Sequence, residues 1–280
     1  MRTISLKSSR YGILSMALVL FGCETEQFFA ELPSSTPRDP NTVVCDPLGP
    51  GSSPLSNGHG MKASLRYLSD SMPQYQYVAE HLEHGILVEG VDIYFNNLFV
   101  PTRMFDSGFE TLAGGVLKNN HDDTLFEWFS LNINSYLRLR MEDAPGNYEF
   151  ALLADDGAVL SGDFGLGYEQ LVVNDGTHPT RMGCGAHPVA LDHNSNIPIT
   201  IDYFQGPRYH IALTMLWRRH QPNATEPLCG ASGNSLFFDP AQSINGNYAP
   251  QAAYNALLSR GWTPVPAENL YLGEDSNPCL

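Results

Sequence analysis

The sequence predicts an all-β fold, an antiparallel β-sandwich or barrel, with one short helix near the C-terminus. From residue 86 onward, apolar and polar residues alternate along several short segments, which places one face of each in a core. Tight-turn sequences separate the segments, and many short strands at such spacing are typical of a sandwich or barrel. The alternating sets are Val91, Ile93 and Phe95; Phe129, Leu131 and Ile133; Leu137, Leu139 and Met141; Tyr148, Phe150 and Leu152; Ile197 to Tyr203; and Tyr209 to Trp217.

The composition favours an exported protein and argues against a general nucleic-acid binder. The 280 residues include 15 Lys and Arg against 30 Asp and Glu, a formal net charge of -15. A nucleic-acid-binding surface needs a concentration of basic residues, which this chain lacks. Only 16% of the residues are charged, whereas Gly (25) and Pro (20) are plentiful, as in loop-rich β proteins.

Residues 1–22 are predicted to be a signal peptide. A basic start precedes an uncharged, mostly apolar run, Tyr11 to Phe21, which is too short to span a bilayer. The run ends in Leu20-Phe21-Gly22-Cys23, which resembles the bacterial lipobox and implies lipidation of Cys23. An ordinary signal peptide with a chance Cys is the alternative. Glu24 follows where Asp would signal inner-membrane retention, so the resemblance implies the bacterial outer membrane or cell surface.

Three further regions are delimited by composition. Residues 23–60 are expected to be a lipid-anchored tether without regular structure, because Pro, Gly and Ser are frequent there. Residues 61–85 form an uncertain lead-in, in which His81 and His84 could ligate a metal but are more simply solvated surface histidines. Residues 221–280 are expected to be a C-terminal extension with one helix over about 250–260, which Pro250 opens and Gly261 ends.

Four cysteines besides Cys23 are predicted to form two disulfides, since their number is even and no pair has C-x-x-C spacing. Three pairings are possible. We expect Cys184–Cys229, which would join loops that flank the last strands. We also expect Cys45–Cys279, which would join the two ends of the mature chain.

We expect a protein that is not an enzyme, because the common catalytic signatures are absent. One segment, Gly146 to Leu160, combines a strand, an acidic turn and another strand. A plain hairpin is one interpretation of this segment, since Asp-Gly favours tight turns. A cation site is the other. Asp155 and Asp156 are adjacent carboxylates that repel each other unless a cation lies between them, and hard oxygen ligands favour Ca²⁺.

The pattern G-x-Y-x-F-x-L-x-x-D-D-G-x-x-L in this segment resembles the anthrax protective antigen domain family. Further blocks follow the family's order across residues 86–220, which we delimit as a protective-antigen-type β-domain. The resemblance implies a β-sandwich or barrel that is often a carbohydrate-binding module. The additional blocks are Leu125 to Phe129 with Leu137 to Leu139, Val173 to His178, Ile197 to Gly206, and Leu213 to Trp217.

The resemblance also implies a site. In the family's yeast adhesins, an Asp-Asp pair joined by a cis peptide holds Ca²⁺, which in turn holds sugar hydroxyls. Carried over by position, the ligands are Asp155 and Asp156, with Asn223 as the candidate third ligand. Phe164 or Tyr168, in a Gly-rich insertion that departs from the family pattern, would stack on the sugar.

Two functions follow as expectations. The first is a surface lipoprotein that binds a glycan or polysaccharide through Ca²⁺ and reaches the membrane only through its lipid anchor. The alternative is a structural or protein-binding surface module without a sugar site, in which the Asp-Asp-Gly turn is only a turn.

Overall fold

A computed structural model of the chain describes residues 42–48, 58–244, 247–273 and 277–279. The predicted signal peptide, Cys23 and most of the tether lie outside the described residues. The described strands are β1 (Val43–Cys45), β2 (Met61–Tyr67), β3 (Ile86–Leu87), β4 (Asp92–Phe95), β5 (Phe99–Met104), β6 (Phe129–Leu137), β7 (Gly146–Asp155), β8 (Ala158–Asp163), β9 (Tyr168–Asn174), β10 (Arg181–Cys184), β11 (Val189–Leu191), β12 (Ile197–Gln205), β13 (His210–Arg219), β14 (Phe238–Ile244), β15 (Asn247–Pro250), β16 (Thr263–Pro264) and β17 (Leu270–Tyr271). The helices are α1 (Val78–His84), α2 (Ala252–Ser259) and a 3-10 turn (Ala267–Asn269).

Most of the strands form two large sheets, which we call sheet A and sheet B, and β14 and β15 pair with each other in a separate two-stranded sheet. Sheet A has the order β1-β4-β2-β6-β12-β8-β9, with β3 beside β2 and β17 beside β6. Sheet B has the order β10-β7-β13-β16, with β11 beside β7 and β5 beside β13. The pairing of β1 with β4 is parallel, and the other pairings within these two sheets are antiparallel. The predicted antiparallel sandwich is therefore confirmed.

The main core contains the inward-facing residues of both sheets, as the period-two pattern requires. Strand β6 contributes Leu131 and Ile133, and strand β12 contributes Ile199 and Ile201, all fully buried. Strands β7 and β13 meet them with Phe150, Leu152, Leu213, Met215 and Trp217. The alternation in the sequence therefore identified most of this core correctly.

A second core covers the outer face of sheet B. Ala151 and Leu153 of β7 point away from the main core, yet both are buried. They lie against apolar side chains from the C-terminal extension, including Tyr254 and Leu257 of α2. The extension is held by buried Glu226, which accepts hydrogen bonds from Arg260 and from Trp262 Nε1. Helix α2 confirms the predicted helix, with its first residue at Ala252.

The sandwich extends beyond the predicted limits of 86–220. Strand β2, in the predicted lead-in, lies between β4 and β6 in sheet A. Strands β16 and β17, in the extension, pair with β13 and β6. The expectation that residues 23–60 lack regular structure is wrong for β1, because Val43 and Val44 are buried and pair with β4.

Both predicted disulfides are present. Cys45 Sγ bonds to Cys279 Sγ across 234 residues of sequence, and Cys184 bonds to Cys229 across 45. The first links β1 to the C-terminal segment, and the second links the end of β10 to the loop after β13. Within the described residues, none of the helices has the length and apolar character needed to cross a membrane.

Candidate functional site

The acidic turn joins the two sheets. Strand β7, in sheet B, ends at Asp155, whereas β8, in sheet A, begins at Ala158. Strand β7 pairs with β10, β11 and β13, and β8 pairs with β9 and β12. The hairpin interpretation of this segment is therefore wrong, because a period-two pattern does not reveal that consecutive strands belong to different sheets. Asp155 and Asp156 lie where the chain crosses between them.

Three turns meet at the two carboxylates. Asp156 Oδ1 accepts a hydrogen bond from the backbone N–H of His178 (3.0 Å), and its Oδ2 accepts one from Gly206 N–H (2.8 Å). Asp155 Oδ2 accepts bonds from the backbone N–H (3.1 Å) and the hydroxyl (3.3 Å) of Thr180. The pair thus binds both the β9–β10 turn and the β12–β13 turn. The peptide bond between the two aspartates is cis.

Gly157 is required by the packing of this crossing. A Cβ added to Gly157 would lie 2.4 Å from Phe204 Cε1 and 2.6 Å from Asp175 Oδ1. Asp175 Oδ1 itself accepts a hydrogen bond from the backbone N–H of Val78, the first residue of α1. The Gly of the Asp-Asp-Gly signature therefore lets the turn, the β9–β10 loop and α1 approach closely.

The backbone carbonyl of Asp155 is also engaged. The Tyr203 hydroxyl lies 2.6 Å from this oxygen and 2.7 Å from Gln205 Oε1. Gln205 in turn donates from Nε2 to the carbonyl of His210 (3.0 Å). These buried polar contacts fix the start of β13 relative to the acidic turn.

Burial and mutual repulsion change the acidity of the pair. Burial raises the pKa of Asp155 to about 8, and the neighbouring charge of Asp156 contributes to the rise. Burial also raises the pKa of Asp156, to about 6, although the N–H groups of Gly206 and His178 act in the opposite direction. The site therefore disfavours two full negative charges when no cation is near.

The donor set fits Ca²⁺. Both side chains offer oxygen atoms, and Asp155 Oδ1 accepts no hydrogen bond from any described residue. Within the described ranges, no group of three or more His, Cys, Asp or Glu side chains is placed to hold a metal. A Ca²⁺ ion takes six to eight oxygens, so the remaining ones would come from backbone carbonyls, water or a ligand's hydroxyls. Such an ion would keep several positions open to a ligand.

The structure does not bring Asn223 to the pair. In the β7–β13 register, Ala212 lies opposite Asp155 and Arg219 lies opposite Tyr148. Asn223 follows Arg219, so it lies at the other end of β13, beyond a strand length of about 23 Å. Ligands of one Ca²⁺ lie within about 5 Å of each other. The assignment of Asn223 as third ligand is therefore wrong for this structure, because spacing along the chain did not reveal strand direction.

Phe164 and Tyr168 also lie away from the pair. Phe164 lies in the turn between β8 and β9, Tyr168 is the first residue of β9, and β8 runs away from the acidic turn along its whole length. From Ala158 to Asp163 the strand covers about 17 Å. The Gly-rich insertion therefore lies in the β8–β9 hairpin at the opposite end of β8 from the acidic turn, and a sugar held at Asp155 would not reach it.

The actual partners of the pair, His178, Thr180 and Gly206, were not predicted individually. His178 and Gly206 act through their backbone N–H groups, and Thr180 through both its N–H and its hydroxyl, so side-chain chemistry gave little signal. The only signal was positional, since two of the blocks similar to the protective antigen domain end at His178 and Gly206.

His81, predicted as a solvated surface histidine, is fully buried. Its ring stacks on Phe204 with centroids 4.3 Å apart, and its Nε2 lies 3.2 Å from the Tyr75 carbonyl oxygen. The prediction was wrong because α1 packs its His81 face onto the outer surface of sheet A. His81 therefore has a packing role beside the acidic turn.

Comparison with known proteins yields similarity at the level of structure. No protein-family model and no curated protein matches the chain. The PA14 domain of the MpAFP antifreeze protein is 13% identical, with a TM-score of 0.42, and the match covers 64% of this chain and 92% of that one. The PA14 sugar-binding domain of an RTX adhesin is 15% identical, with a TM-score of 0.37 and coverage of 57% and 90%.

An adhesin domain is also among the similar structures. The Epithelial Adhesin 6 A domain of Candida glabrata, solved with Galβ1-3GlcNAc, is 14% identical, with a TM-score of 0.39 and coverage of 76% and 98%. PA14 domains thus recur among the solved structures similar to this chain, as the resemblance in its sequence led us to expect.

Proposed function

We propose that this chain is a lipid-anchored surface protein that binds carbohydrate, with Ca²⁺ held by Asp155 and Asp156. The observation that carries the proposal is the pairing of two adjacent buried carboxylates, one of which keeps an oxygen that accepts no hydrogen bond from the described part of the chain. Exposed fractions of 6% and 3% mean that these charges receive little help from water. A divalent cation would remove their mutual repulsion.

The rigidity of the turn supports the same function. Hydrogen bonds from His178, Thr180 and Gly206 hold the carboxylates in fixed positions before any ligand arrives. Preorganised ligands lose little conformational entropy on binding. Bound Ca²⁺ would supply positive charge that attracts pairs of hydroxyls, while the protein's part is to orient the two carboxylates. Binding by a single site would be weak, and adhesion would depend on many anchored copies.

Lipid anchoring at Cys23 and export to the outer membrane or cell surface belong to the same proposal. The support is the signal-peptide pattern and the four cysteines, all of which are disulfide-bonded in the structure. Disulfides persist in oxidising compartments outside the cytosol. Replacement of Cys23 by Ala should abolish incorporation of labelled fatty acid, and retention of the label would contradict the anchor.

Calorimetry tests the calcium site. Ca²⁺ titrated into the wild type should release or absorb heat with one-site stoichiometry, whereas the isosteric Asp155→Asn/Asp156→Asn variant should give none. Asp192→Asn, at an exposed turn, is the matched control and should bind as the wild type does. Equal heats from the wild type and the double variant would contradict the assignment.

A glycan panel tests the ligand. Neutral oligosaccharides are suitable probes, and Galβ1-3GlcNAc is a reasonable first member. Binding that requires Ca²⁺ and is lost in the double variant supports the proposal. The alternative, a structural or protein-binding module, has its own support, because three of the four carboxylate oxygens already hold neighbouring turns. Glycan binding and melting temperature that are unchanged by chelator would favour that alternative.

A further inference from the structure

The β8–β9 hairpin end carries two clefts that share one aromatic wall. The first, of about 390 Å³, lies between this hairpin end and the loop before β12. The second, of about 290 Å³, lies between β9 and the segment that leads into β11. Phe164 and Ala190 line both clefts. Small-molecule sites usually have volumes of a few hundred Å³, so either cleft has room for about one small ring.

Phe164 is placed to offer a ring surface. It is 42% exposed, a large fraction for a phenylalanine, and yet its Cε2 atom lies within 3.4 Å of the position of a Cβ on Gly162. One part of the ring therefore packs against strand β8 while another part faces the clefts. Leu166, two residues further on, is fully exposed and lines neither cleft.

The polar groups around the ring both donate and accept hydrogen bonds. The first cleft contains Asn196, whose Oδ1 atom accepts from Arg138 Nε (2.7 Å), which leaves its amide N–H groups as donors. Ser195 also lines this cleft, but its hydroxyl already bonds to Asp192. The second cleft contains Glu169 and Gln170. Neither cleft is lined by a Lys or Arg, whereas Asp163 and Glu169 contribute carboxylates. Anionic ligands are therefore disfavoured.

We propose that these clefts form a second binding site, for a neutral oligosaccharide, that needs no metal ion. A pyranose ring presents a flat apolar face, which suits Phe164, and a rim of hydroxyls, which suits a mixture of amide donors and carboxylate acceptors. Two clefts on either side of one ring suit a ligand of at least two sugar units. A purely cationic ligand is disfavoured, because it would offer the amide N–H donors no hydrogen-bond acceptor.

This site is separate from the calcium pair. About 17 Å of strand β8 lies between Ala158 and the hairpin end. The inference does not rest on the function proposed for Asp155 and Asp156, and each can fail alone. The two sites lie at opposite ends of β8, so a surface-bound molecule could engage glycans at both.

The test is binding to an immobilised panel of neutral oligosaccharides in the presence of EDTA, with the full chain. The wild type and the Asp155→Asn/Asp156→Asn variant should both keep binding to at least one glycan. Phe164→Ala should weaken that binding about tenfold or more, and Phe164→Tyr should restore most of it. Ala190→Trp, which fills the clefts without removing the ring, should also abolish it, whereas Leu166→Ala should leave it unchanged.

Thermal unfolding of each variant shows whether the fold is kept. The exposure of Phe164 predicts that its variants fold, and the double Asp variant enters the comparison only under conditions in which it stays folded. Several results would overturn the inference: no EDTA-resistant binding to any neutral glycan, binding that is unaffected by Phe164→Ala and Ala190→Trp, or loss of the same binding in the double Asp variant. Capture of a Lys-rich peptide in place of every glycan would likewise reject the ligand class.

Discussion

The Oδ2 atom of Asp156 accepts a 2.8 Å hydrogen bond from the backbone N–H of Gly206, fifty residues further along the chain. This bond joins the crossing from sheet B to sheet A with the turn between β12 and β13. Its energetic importance comes from burial, because a charged acceptor that loses its donor away from water is costly. The acidic turn therefore supports the fold at this end of the sandwich, whatever it binds.

Replacement of Gly157 by Ala should destabilise the protein by roughly 1–3 kcal/mol, as overpacking does. The added methyl group would meet Phe204 Cε1 at 2.4 Å and the Gly176 backbone nitrogen at 2.8 Å, and backbone atoms cannot move aside cheaply. Gly233→Ala is the matched control, because its nearest neighbour would lie at 3.5 Å. Urea unfolding measures both, and equal stability of the two variants would contradict the packing account.

Asp155 should make stability in chelator fall as the pH rises from about 5 to about 8, and the decline should level off above pH 8. The pKa of Asp155 is raised to about 8 in the folded chain, whereas an unfolded Asp titrates near 3.9. Between these two pKa values the folded state holds a proton that the unfolded state has lost, so rising pH favours the unfolded state. The decline ends once the folded carboxyl also ionises, near pH 8.

The measurement is the free energy of unfolding from denaturant titrations across that pH range in EDTA. The Asp155→Asn variant should show a flatter profile, and saturating Ca²⁺ should remove the decline in the wild type. If the stability of the wild type in EDTA changed with pH as little as that of the variant, the raised pKa of Asp155 would be contradicted.

His81 should make the stability of the fold decrease as the pH falls below about 7, which is the opposite of the trend expected from Asp155. Burial lowers its pKa, so the folded state keeps the ring neutral while the unfolded state takes up a proton below pH 6.5. The contribution of neutral, buried His81 to the free energy of unfolding is therefore present at pH 7 and is lost as the pH falls. His81→Phe keeps a ring against Phe204 and should lose less stability between pH 7 and pH 5 than the wild type does.

The matched control is His84→Gln in the same helix, where the side chain is half-exposed. Denaturant midpoints at the two pH values measure the effect. If the wild type and His81→Phe lost the same stability between pH 7 and pH 5, His81 would have no part in the acid response.

Removal of the Cys45–Cys279 disulfide should cost more stability than removal of Cys184–Cys229. The two bonds close chain segments of 234 and 45 residues. Loop-closure entropy rises with the logarithm of loop length, which makes the longer crosslink worth about 1.4 kcal/mol more. Chemical denaturation of two variants, each with both cysteines of one disulfide replaced by Ser, measures the two losses of stability. A larger loss for the Cys184–Cys229 variant would contradict the prediction.

Most of the strands and the C-terminal helix could be predicted because each leaves a local signal. The even number of cysteines predicted two disulfides, but it left three pairings open. Alternating apolar residues indicate a strand with one buried face, as in Ile197–Gln205. This pattern is the same whichever strand pairs with it. The partners of a strand leave no such signal. Asp155 and Ala158 therefore looked like the two sides of one hairpin. In the structure Asp155 ends β7 in sheet B, and Ala158 begins β8 in sheet A.

The candidate site could likewise be predicted only in part. The acidic pair was visible because two adjacent carboxylates before a Gly are chemically unusual. Asn223 was assigned to it from its place in the chain order of the resembling family, and Phe164 as an aromatic residue of the Gly-rich insertion. The directions of β13 and β8 place both at the far end. His81 was misjudged for a related reason, since a short helix gives no indication of which sheet face will cover it.

The disulfide between Cys45 and Cys279 also determines how the domain would carry a mechanical load. If the chain is held from its N-terminal side, tension enters at β1, whose hydrogen bonds to β4 involve only three residues. The covalent bond at Cys45, the last residue of β1, passes part of that tension directly to the C-terminal segment, so the load beyond Cys45 does not rest on the pairing of β1 with β4 alone. In reducing conditions β1 would be held only by non-covalent contacts, which include its pairing with β4 and its contacts with Thr111 and Leu112, and it would detach at lower force.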